Sequence, residues 1–499
     1  MDIEHILENG NCHQCGVCVG VCPVDAITIA HDEKRGMWPI FHRNLCTDCD
    51  LCHIACPGEE FDWNGLQQQT FGEIPRDKEL GYFREIWSGY TNWDKIRQKG
   101  ASGGIVSAVL IALLEKGEID GAVVTKMDEE HPLQPKVYIA RTPEEVLEAQ
   151  QSKYLPVPVG VILQEIMRTE GRFAVVALPC HIHGIRLAQQ KMPRIRKRIV
   201  LQIGLICGFH PSFTNTTFLA RRAGVKNLDD IKEIRYRDDT WPGGFNVIKK
   251  DGTNNMIHPV QDFFWSHALF ERERCATCTD AMSEFGDIVC GDEWRDDGLV
   301  REDYKQGWSY IITRTERGSH VIKQLTEDGV LTVEPTHPGV VKSGMMPTVN
   351  LKKKLAFAAI RIRKSLGLAV PNYRNLDPHE KLTFRHYLGA AILLAVPAFF
   401  EFRFVQFVFL NFPTRFYKRY MNLLYKCLVD FARCDVLKEE AKQAKDAEIG
   451  LLRDNRKMLP ELVPTAENQT QRDVNNGAAE KFPQGSDDEV KSVAVQPGN

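Results

Sequence analysis

Residues 11–23 read NCHQCGVCVGVCP, with four cysteines separated by two, two and three residues and followed by a proline. Residues 45–57, LCTDCDLCHIACP, repeat that pattern. A short loop with this spacing wraps three thiolates around one 4Fe–4S cluster, while its fourth cysteine ligates the other cluster of a two-cluster ferredoxin. The two stretches, named here the first and second cysteine motifs, therefore predict a ferredoxin-like domain with two clusters.

The crossed arrangement assigns one cysteine of each motif to the cluster of the other motif. One cluster is expected on Cys12, Cys15, Cys18 and Cys56. The other is expected on Cys46, Cys49, Cys52 and Cys22. Zinc is the alternative metal, but it favours two separated C-x2-C pairs that close a tetrahedron, and this spacing fits that pattern poorly.

The segments that follow the two motifs differ in character. After the first motif, AITIA at 26–30 and MWPIF at 37–41 predict two short strands joined by a polar turn, which is the pattern of a hairpin. CPGEEFDW follows the second motif where CPVDAITI follows the first. We therefore expect the second half of the repeat to be truncated into a linker.

Composition favours a cytosolic redox or metal protein. The 499 residues carry a net charge of −3, which allows two or three domains and gives no sign of a nucleic-acid partner. Eight of the fifteen cysteines precede residue 57, and five lie between Cys180 and Cys290. The first ten residues lack the basic and apolar regions of a secretory signal, so we expect a cytoplasmic location and clustered thiols rather than disulfides.

The middle of the chain, from about residue 82 to 343, alternates apolar strand-like runs with helical stretches, as an α/β domain does. GAVVTKM, FAVVAL and VLQIGLIC predict buried strands, and GIVSAVLIALLEKG predicts a helix that ends at Gly117. The preceding KGASGG would expose backbone N–H groups at the helix N-terminus, which suits a phosphate group. A glycine-rich helix start is nevertheless more often a simple cap.

Four more cysteines fall where predicted strands end. Cys180 and Cys207 each follow a predicted strand, and ERERCATC adds a C-x2-C pair. The carboxyl edge of an α/β sheet is where such folds bind ligands, so one interpretation is a third 4Fe–4S cluster on Cys180, Cys207, Cys275 and Cys278. Zinc or a redox dithiol at the C-x2-C pair is the other interpretation. Cys290, inside an apolar run, is expected to be structural.

The ordered set SGGIVSAVLIALLE, QSKYLPV, ALPCHIHGIR, GLICGFH and RCATCTDAMSEFGDIVCGDEW resembles the beta subunit of coenzyme F420-reducing hydrogenases and dehydrogenases, from about residue 80 to 345. With the two cysteine motifs, the chain looks like the dehydrogenase form with an N-terminal two-cluster ferredoxin domain. The resemblance implies an FAD-containing iron–sulfur oxidoreductase that exchanges hydride with coenzyme F420 and passes single electrons along its clusters. Other relatives use ferredoxin electrons to reduce pigment-like substrates.

The resemblance also implies six FAD-binding residues, namely Ser102, Gly103, Gly104, Ser152, Lys153 and Tyr154. A helix N-terminus and a lysine would hold the pyrophosphate, although Lys153 without the family would be an ordinary surface lysine. Many relatives carry a second cysteine shortly after the ICG sequence, where this chain has Phe209, His210 and Pro211. The ligand set of a third cluster therefore stays open.

No general acid follows from the sequence. His181 and His183 follow Cys180 closely enough in the chain to assist proton movement, but buried histidines with local partners are the commoner case. Asp292, in GDEW, could orient a ligand or cap a turn.

The pattern changes after about residue 350. LKKKLAFAAIRIRKSLG is basic and amphipathic, and the segment 387–413 is rich in phenylalanine with a charge-free core of only fourteen residues, Tyr387 to Phe400. That core is too short to span a bilayer. Cationic, aromatic helices of this kind favour contact with a membrane interface through residues 350–435. The alternatives are a protein-docking surface or a helical hairpin packed on its own domain.

We therefore predict a mixed α+β and α/β chain. Its parts are a two-cluster ferredoxin-like domain at 1–75, the two beta-subunit regions at 80–170 and 171–345, amphipathic helices at 350–440, and a charged helix with a disordered tail at 441–499. The predicted function is transfer of electrons from a two-electron donor, through FAD and the clusters, to a redox partner protein, ferredoxin or an acceptor at the inner face of the membrane. A ferredoxin-dependent reductase and a non-catalytic electron-transfer subunit are the alternatives.

Overall fold

The computed structural model describes residues 3–208, 210–257, 265–294, 305–376 and 381–432. The chain divides into two units, Met1–Lys445 and Asp446–Asn499, and all described residues belong to the first. The charged helix and tail predicted at 441–499 lie outside the described residues.

The two cysteine motifs fold with short helices around one hairpin. In chain order the elements are α1 (Ile3–Glu8), α2 (Val17–Val21), β1 (Ile27–Asp32), β2 (Gly36–Phe41), α3 (Leu51–Ile54), β3 (Glu60–Asp62) and α4 (Trp63–Phe71). β1 and β2 pair antiparallel, with Ile27 opposite Phe41. The Asp32 carboxylate accepts the N–H groups of Lys34 and Arg35 at 2.9 and 2.7 Å, which closes the predicted hairpin turn.

The linker expected after the second motif is wrong, because that segment forms β3 and α4. β3 pairs in parallel with the strand Asn372–Arg374, more than 300 residues further along the chain. Phe61 and Trp63 are buried, and the Phe61 ring stacks on His183 with a centroid separation of 4.9 Å. The segment therefore fastens the ferredoxin-like part to the rest of the chain.

The body contains the predicted strands and helices. Its elements are β4 (Glu85–Thr91), α5 (Asp94–Lys99), α6 (Ile105–Glu115), β5 (Gly121–Met127), β6 (Pro135–Ala140), α7 (Pro143–Glu148), α8 (Leu163–Arg168), β7 (Phe173–Ala177), α9 (Pro179–Lys191), α10 (Pro193–Arg198), β8 (Ile199–Leu205), α11 (Phe213–Arg222), β9 (Ile231–Asp238), β10 (Gly244–Lys249), β11 (Asn254–Ile257), α12 (Glu273–Ala276), β12 (Ile288–Asp292), β13 (Ser309–Thr313), α13 (Glu316–Glu327), β14 (Leu331–Pro335) and α14 (Pro338–Asn350).

Within the described ranges, eight strands form the main sheet in the order β14-β4-β13-β12-β8-β7-β5-β6. The four strands β12, β8, β7 and β5 are parallel, and the flanking strands pair antiparallel. Parallel strands buried on both faces read as continuous apolar runs, which is why GAVVTKM, FAVVAL and VLQIGLIC could be recognised as β5, β7 and β8. α6 ends as predicted, with Gly117 in the left-handed region at φ 63°.

A second, antiparallel sheet has the order β11-β10-β9. Ile231, Ile234 and Tyr236 of β9 are buried, and they share a core with Phe173 and Val175 of the main sheet. This shared core packs β9 against the main sheet.

The C-terminal part begins where α14 continues through a π-helical turn, Leu351–Leu355, into α15 (Ala356–Ser365). The lysines of that turn, Lys352, Lys353 and Lys354, are each less than 5% exposed. The interpretation of residues 351–367 as a basic membrane-facing helix is therefore wrong for these lysines. A π-helical turn adds a residue to the helix and changes which side chains face inward.

The last described helices are α16 (Phe384–Phe400), α17 (Arg403–Asn411) and α18 (Thr414–Ala432). Ala390, Leu393 and Phe400 of α16 pack into a core with Leu355 and Leu428. Among the described residues, no single helix has the length and hydropathy to cross a membrane, and α16 and α17 reach that hydropathy only as a pair with a 91° bend between them.

Candidate redox site

The first set of predicted cluster ligands surrounds one cavity. Its lining residues are Cys12, Cys15, Cys18 and Cys56 together with Ile3, Ile6, Leu7, His13, Gly16, Pro39 and Pro57. Cys56 thus lies with the first motif, although its own motif follows some thirty residues later. A cavity framed by four thiols is the arrangement that a cluster of several irons requires.

The backbone around this cavity favours thiolate ligands. Gln14 and Gly16 adopt left-handed φ angles of 57° and 76°, which curl the loop between the cysteines. The Gln14 N–H donates to Cys12 Sγ at 3.3 Å, and the Gly58 N–H donates to Cys56 Sγ at 3.3 Å. Burial raises the pKa of Cys56 to about 12. Because a metal ligand must be deprotonated, iron binding here releases protons that the buried thiols otherwise keep.

The second set repeats this geometry at the surface. Asp48 and Asp50 hold left-handed φ angles of 51° and 59°, at the positions that correspond to Gln14 and Gly16. The Asp48 N–H donates to Cys46 Sγ at 3.4 Å, and the Ala26 N–H donates to Cys22 Sγ at 3.2 Å.

The environment of Cys52 shows which thiols lie together in the second set. Burial, together with the nearby thiols of Cys49, Cys22 and Cys46, raises the pKa of Cys52 to about 11. Cys22 therefore lies with the second motif. Cys49 is exposed, so this set reaches the surface.

The third predicted set also converges. Cys180 opens α9 directly after β7, Cys207 follows β8, and Cys275 and Cys278 lie at α12. Burial raises the pKa of Cys207, and the charges of Cys275, Cys180 and Cys278 raise it further. Since β7 and β8 are adjacent and parallel, their carboxyl ends place the first two cysteines at one edge of the sheet.

Arg272 lies between the first and third sets. Its guanidinium donates to the His13 carbonyl at 2.8 Å and to Gln14 Oε1 at 2.6 Å, and it reaches Cys275 Sγ at 3.6 Å. Burial raises the pKa of Cys180, and the neighbouring thiol of Cys15 raises it further. The third set is therefore a direct neighbour of the first.

A single metal ion needs tighter convergence than these sets show. Zinc holds sulfur at about 2.3 Å, and in the described ranges no group of three His, Cys, Asp or Glu side chains is close enough to hold one ion. The first set instead lines a cavity, which suits a larger inorganic cluster.

The histidines near Cys180 have local partners, as expected. His181 Nδ1 accepts the Leu178 N–H at 3.2 Å and so caps α9. His183 Nε2 lies 2.8 Å from the buried Asp280 carboxylate. His210 is buried, and its Nδ1 has no hydrogen-bond partner in the described part of the chain. Phe209 lies outside the described residues.

The glycine-rich loop before α6 is held against β13. Ser102 Oγ donates to the Trp308 carbonyl at 2.6 Å, and the Gly103 N–H donates to Ser309 Oγ at 3.0 Å. A Cβ at Gly103 would lie 2.6 Å from the Gly89 carbonyl, so only glycine fits there. Gly104 is the N-cap residue before α6, at φ 75°, and has no side chain with which to cap the helix, so the positive end of this helix is available to an anion.

The QSKY segment lies in the loop after α7, where Ser152 stands between Gln151 and Lys153. The Lys153 ammonium donates to the carbonyls of Ala149, Gln150 and Gln151 at 2.6, 2.7 and 3.1 Å. Burial lowers the pKa of Lys153 to about 7. The interpretation of Lys153 as an ordinary surface lysine is therefore wrong.

Arg237, on β9, joins three of the motifs, although no sequence pattern pointed to it. Its guanidinium donates to the Ala101 carbonyl at 2.7 Å, to the Tyr154 hydroxyl at 3.1 Å and to the Asp292 carboxylate at 2.9 Å. The side chain is 3% exposed. No local pattern distinguishes it from its neighbour Arg235, since only the tertiary fold decides which arginine of RYR faces the loops. Asp292, which could orient a ligand or cap a turn by sequence, thus forms an ion pair with Arg237.

Comparison with family models agrees with this division of the chain. Residues 86–164 match the model described as coenzyme F420 hydrogenase/dehydrogenase, beta subunit N-term, and residues 170–338 match the companion model for the C terminus of the same beta subunit. The chain belongs to the family of coenzyme F420 hydrogenase/dehydrogenase beta subunits. Residues 11–59 match a 4Fe-4S dicluster domain, which confirms the iron–sulfur domain predicted from the cysteine spacing. The hydrogenases and dehydrogenases of this family are oxidoreductases.

Comparison with single proteins finds relatives that align with more than half of the chain. A subunit of the F(420)H(2) dehydrogenase of Methanosarcina mazei is 28% identical over 70% of this chain and 92% of its own length. The beta subunit of the coenzyme F420 hydrogenase of Methanothermobacter thermautotrophicus is 29% identical over 58% of this chain and 99% of its own. A chain in a structure of the F420-reducing [NiFe] hydrogenase complex from Methanosarcina barkeri is 24% identical, covers 60% of this chain and 98% of that chain, and gives a TM-score of 0.47.

Proposed function

We propose that this protein is an iron–sulfur flavoprotein oxidoreductase that takes electrons from reduced coenzyme F420, or a similar two-electron donor, and delivers them singly through 4Fe–4S clusters to a redox partner at the membrane. The observation that carries the proposal is the contact of the third cysteine set with the first set through Arg272. FAD, when bound, supplies the step from electron pairs to single electrons. The named relatives act with coenzyme F420, which supports this choice of donor.

The three cysteine sets support a continuous route. Burial has the largest effect on the pKa of Cys180 in the third set, and Cys15 of the first set raises it further. Burial likewise has the largest effect on the pKa of Cys56 in the first set, and Cys52 of the second set is among the thiols that raise it further. Each set is therefore next to the following one. We propose that electrons enter near the third set and leave by the second, because Cys49 is exposed and the thiols of the other sets are more enclosed.

The loops around Arg237 support a flavin site beside the third set. Ser102, Gly103 and Gly104 would present the start of α6 to the pyrophosphate, and the Lys153 ammonium would exchange one of its three carbonyl partners for a phosphate oxygen. Tyr154 and Ala101 are held together by Arg237. Asp292 fixes that guanidinium at the end of β12, so the residues that would hold FAD and those that would hold the third cluster occupy one edge of the main sheet.

Anaerobic purification tests the function directly. We expect about eight to twelve irons per chain, by cluster arithmetic, and one FAD. Reduced coenzyme F420 should bleach the flavin absorbance and then generate reduced-cluster EPR signals. Bleaching by reduced ferredoxin but not by reduced coenzyme F420 would indicate the reductase alternative. Clusters without flavin would indicate a non-catalytic electron-transfer protein, and zinc without iron would overturn the proposal.

The C-terminal helices support attachment to a membrane surface. Phe402, Phe404 and Phe407 are 65%, 76% and 64% exposed. Arginines at 385, 403, 415 and 419 are exposed on the same helices. Exposed aromatic side chains interspersed with cations suit the interface of an anionic bilayer. α16 meanwhile packs on its own domain, so the helices would lie on the membrane without leaving the body.

Replacing Phe402, Phe404 and Phe407 together with serine should weaken binding to vesicles of phosphatidylglycerol and phosphatidylcholine at least about tenfold. The reason is that each inserted phenylalanine removes apolar area from water, worth about 1.5–3 kcal/mol when complete. Co-flotation with the vesicles measures the change. A variant with Ile74→Ser and Leu147→Ser, which alters apolar side chains exposed elsewhere, should float like the unaltered protein. Flotation by the triple variant equal to the unaltered protein would argue against membrane attachment through α17.

A further inference from the structure

The π-helical turn at Leu351–Leu355 buries a charged pair. Lys352 is 4% exposed, and its ammonium donates to the Cys275 carbonyl at 2.7 Å. Glu271, also 4% exposed, lies with Oε1 3.6 Å from Lys352 Nζ. Burying two charges costs several kcal/mol per ion, so this pair is a poor source of stability and a strong source of local field.

Lys352 directs its charge at the third cysteine set. Burial lowers the pKa of Lys352, but the negative charges of Glu271 and then of Cys278, Cys275 and Cys207 raise it. The net result is a pKa above the usual value of a lysine. Burial raises the pKa of Cys278, and Lys352 is the strongest of the neighbours that lower it. Three of the four cysteines of the third set are therefore electrostatic neighbours of this ammonium, which is anchored at the Cys275 carbonyl.

The adjacent lysine provides a contrast. Lys353 is 2% exposed, but it is paired with Glu284 and lies over the Trp63 ring, 5.4 Å from its centroid. The two lysines are therefore similarly buried but have different partners, since Lys352 has Cys278, Cys275 and Cys207 among its electrostatic neighbours, whereas Lys353 is paired with Glu284.

We propose that Lys352 and Glu271 set the reduction potential of a 4Fe–4S cluster held by Cys180, Cys207, Cys275 and Cys278. This inference rests on the third cluster of the proposed function. One-electron reduction of that cluster adds one negative charge and makes or breaks no bond. A buried positive charge stabilises the reduced form and a buried negative charge stabilises the oxidised form, and the field is strong because the surroundings are of low dielectric.

The two members of the pair should therefore shift the potential in opposite directions. Lys352→Met removes the cation, so we expect a lower potential for the third cluster. Glu271→Gln removes the anion and leaves the cation, so we expect a higher one. A tenfold change in the ratio of reduced to oxidised cluster at fixed potential corresponds to about 59 mV for one electron, and we expect at least this shift for each variant.

EPR-monitored redox titration of the full protein with dye mediators measures these potentials. It should be done at about pH 9, where the glutamate is ionised, since burial raises the pKa of Glu271 to about 7. Loss of one signal in Cys207→Ser identifies the third cluster. Lys353→Met is the matched control, which should leave that potential unchanged. Because Lys352→Met leaves Glu271 buried without its lysine, the double variant Lys352→Met with Glu271→Gln supplies a charge-neutral site, with an expected potential between those of the single variants.

The outcomes separate the inference from the function on which it rests. Opposite shifts in the two single variants support the inference. Unchanged potentials, or shifts of the same sign in both, overturn it while the third cluster stands. If the unaltered protein carries eight irons and Cys207→Ser removes no EPR signal, both the third cluster and the inference are overturned.

Discussion

Replacing Cys56 with serine is expected to remove about four irons and to leave the more exposed of the two ferredoxin-like clusters. The reason is that Cys56 lines the cavity of Cys12, Cys15 and Cys18, not that of its own motif. Cys22→Ser should remove the same number of irons and leave the enclosed cluster, because Cys22 lies with the second set. Burial has the largest effect on the pKa of Cys52, and Cys22 is one of the neighbouring thiols that raise it further. Iron content alone does not tell the two variants apart.

The rate at which a chelator removes the remaining iron distinguishes them. The surviving cluster of Cys56→Ser lies by the exposed Cys49 and should lose iron faster than the surviving cluster of Cys22→Ser. Uncrossed ligation predicts the reverse order. Cys427→Ser, a free cysteine of α18, is the matched control and should keep all its iron. Equal iron loss rates in the two variants would argue against the crossed assignment.

Arg237→Met is expected to lower the free energy of unfolding by about 3 kcal/mol, because it leaves the Asp292 carboxylate without its buried partner. It also removes the donor shared by Tyr154 and Ala101, so it should reduce the affinity of the proposed flavin site for FAD at least about tenfold. Urea unfolding followed by tryptophan fluorescence measures the first effect. The ratio of FAD to protein after gel filtration measures the second.

Arg235→Met is the control for this experiment. Arg235 lies two residues away on the same strand, and its side chain is 43% exposed and paired with Glu233. Exposed ion pairs contribute about 0–1 kcal/mol, so this variant should unfold close to the unaltered protein and keep its flavin. If Arg237→Met behaves like Arg235→Met in both measurements, Arg237 does not organise the loops around the proposed flavin site.

The parts of the fold that could be predicted are those encoded by neighbouring residues. The cysteine spacing predicts the ferredoxin-like domain, continuous apolar runs predict β5, β7 and β8, and Gly117 marks the end of α6. These patterns arise within a few residues, so no knowledge of the tertiary structure is needed. The four cysteines of the third set could be grouped for a related reason, because two of them follow strands whose ends meet at one edge of the sheet.

The parts that were missed depend on residues far apart in the chain. β3 forms because the strand at 372–374 pairs with it, and CPGEEFDW gives no local sign of that partner. Lys352 and Lys353 look like a solvated basic face until Glu271 and Glu284 are placed opposite them. Arg237 belongs to the same class, since Tyr154, Ala101 and Asp292, three of its partners, come from three different segments.

The pairing of β3 with the strand Asn372–Arg374 has a consequence for how the protein is made. A ribosome adds about 5–20 residues per second, so the roughly 300 residues between the two strands take about 15–60 s to synthesise. For about the first two-thirds of that interval the first cysteine motif has been synthesised, but Arg272, which donates to the His13 carbonyl and to Gln14, has not. Iron delivery during translation would therefore reach the first motif before Arg272 binds its loop, whereas delivery to the finished chain would meet a loop that Arg272 already holds.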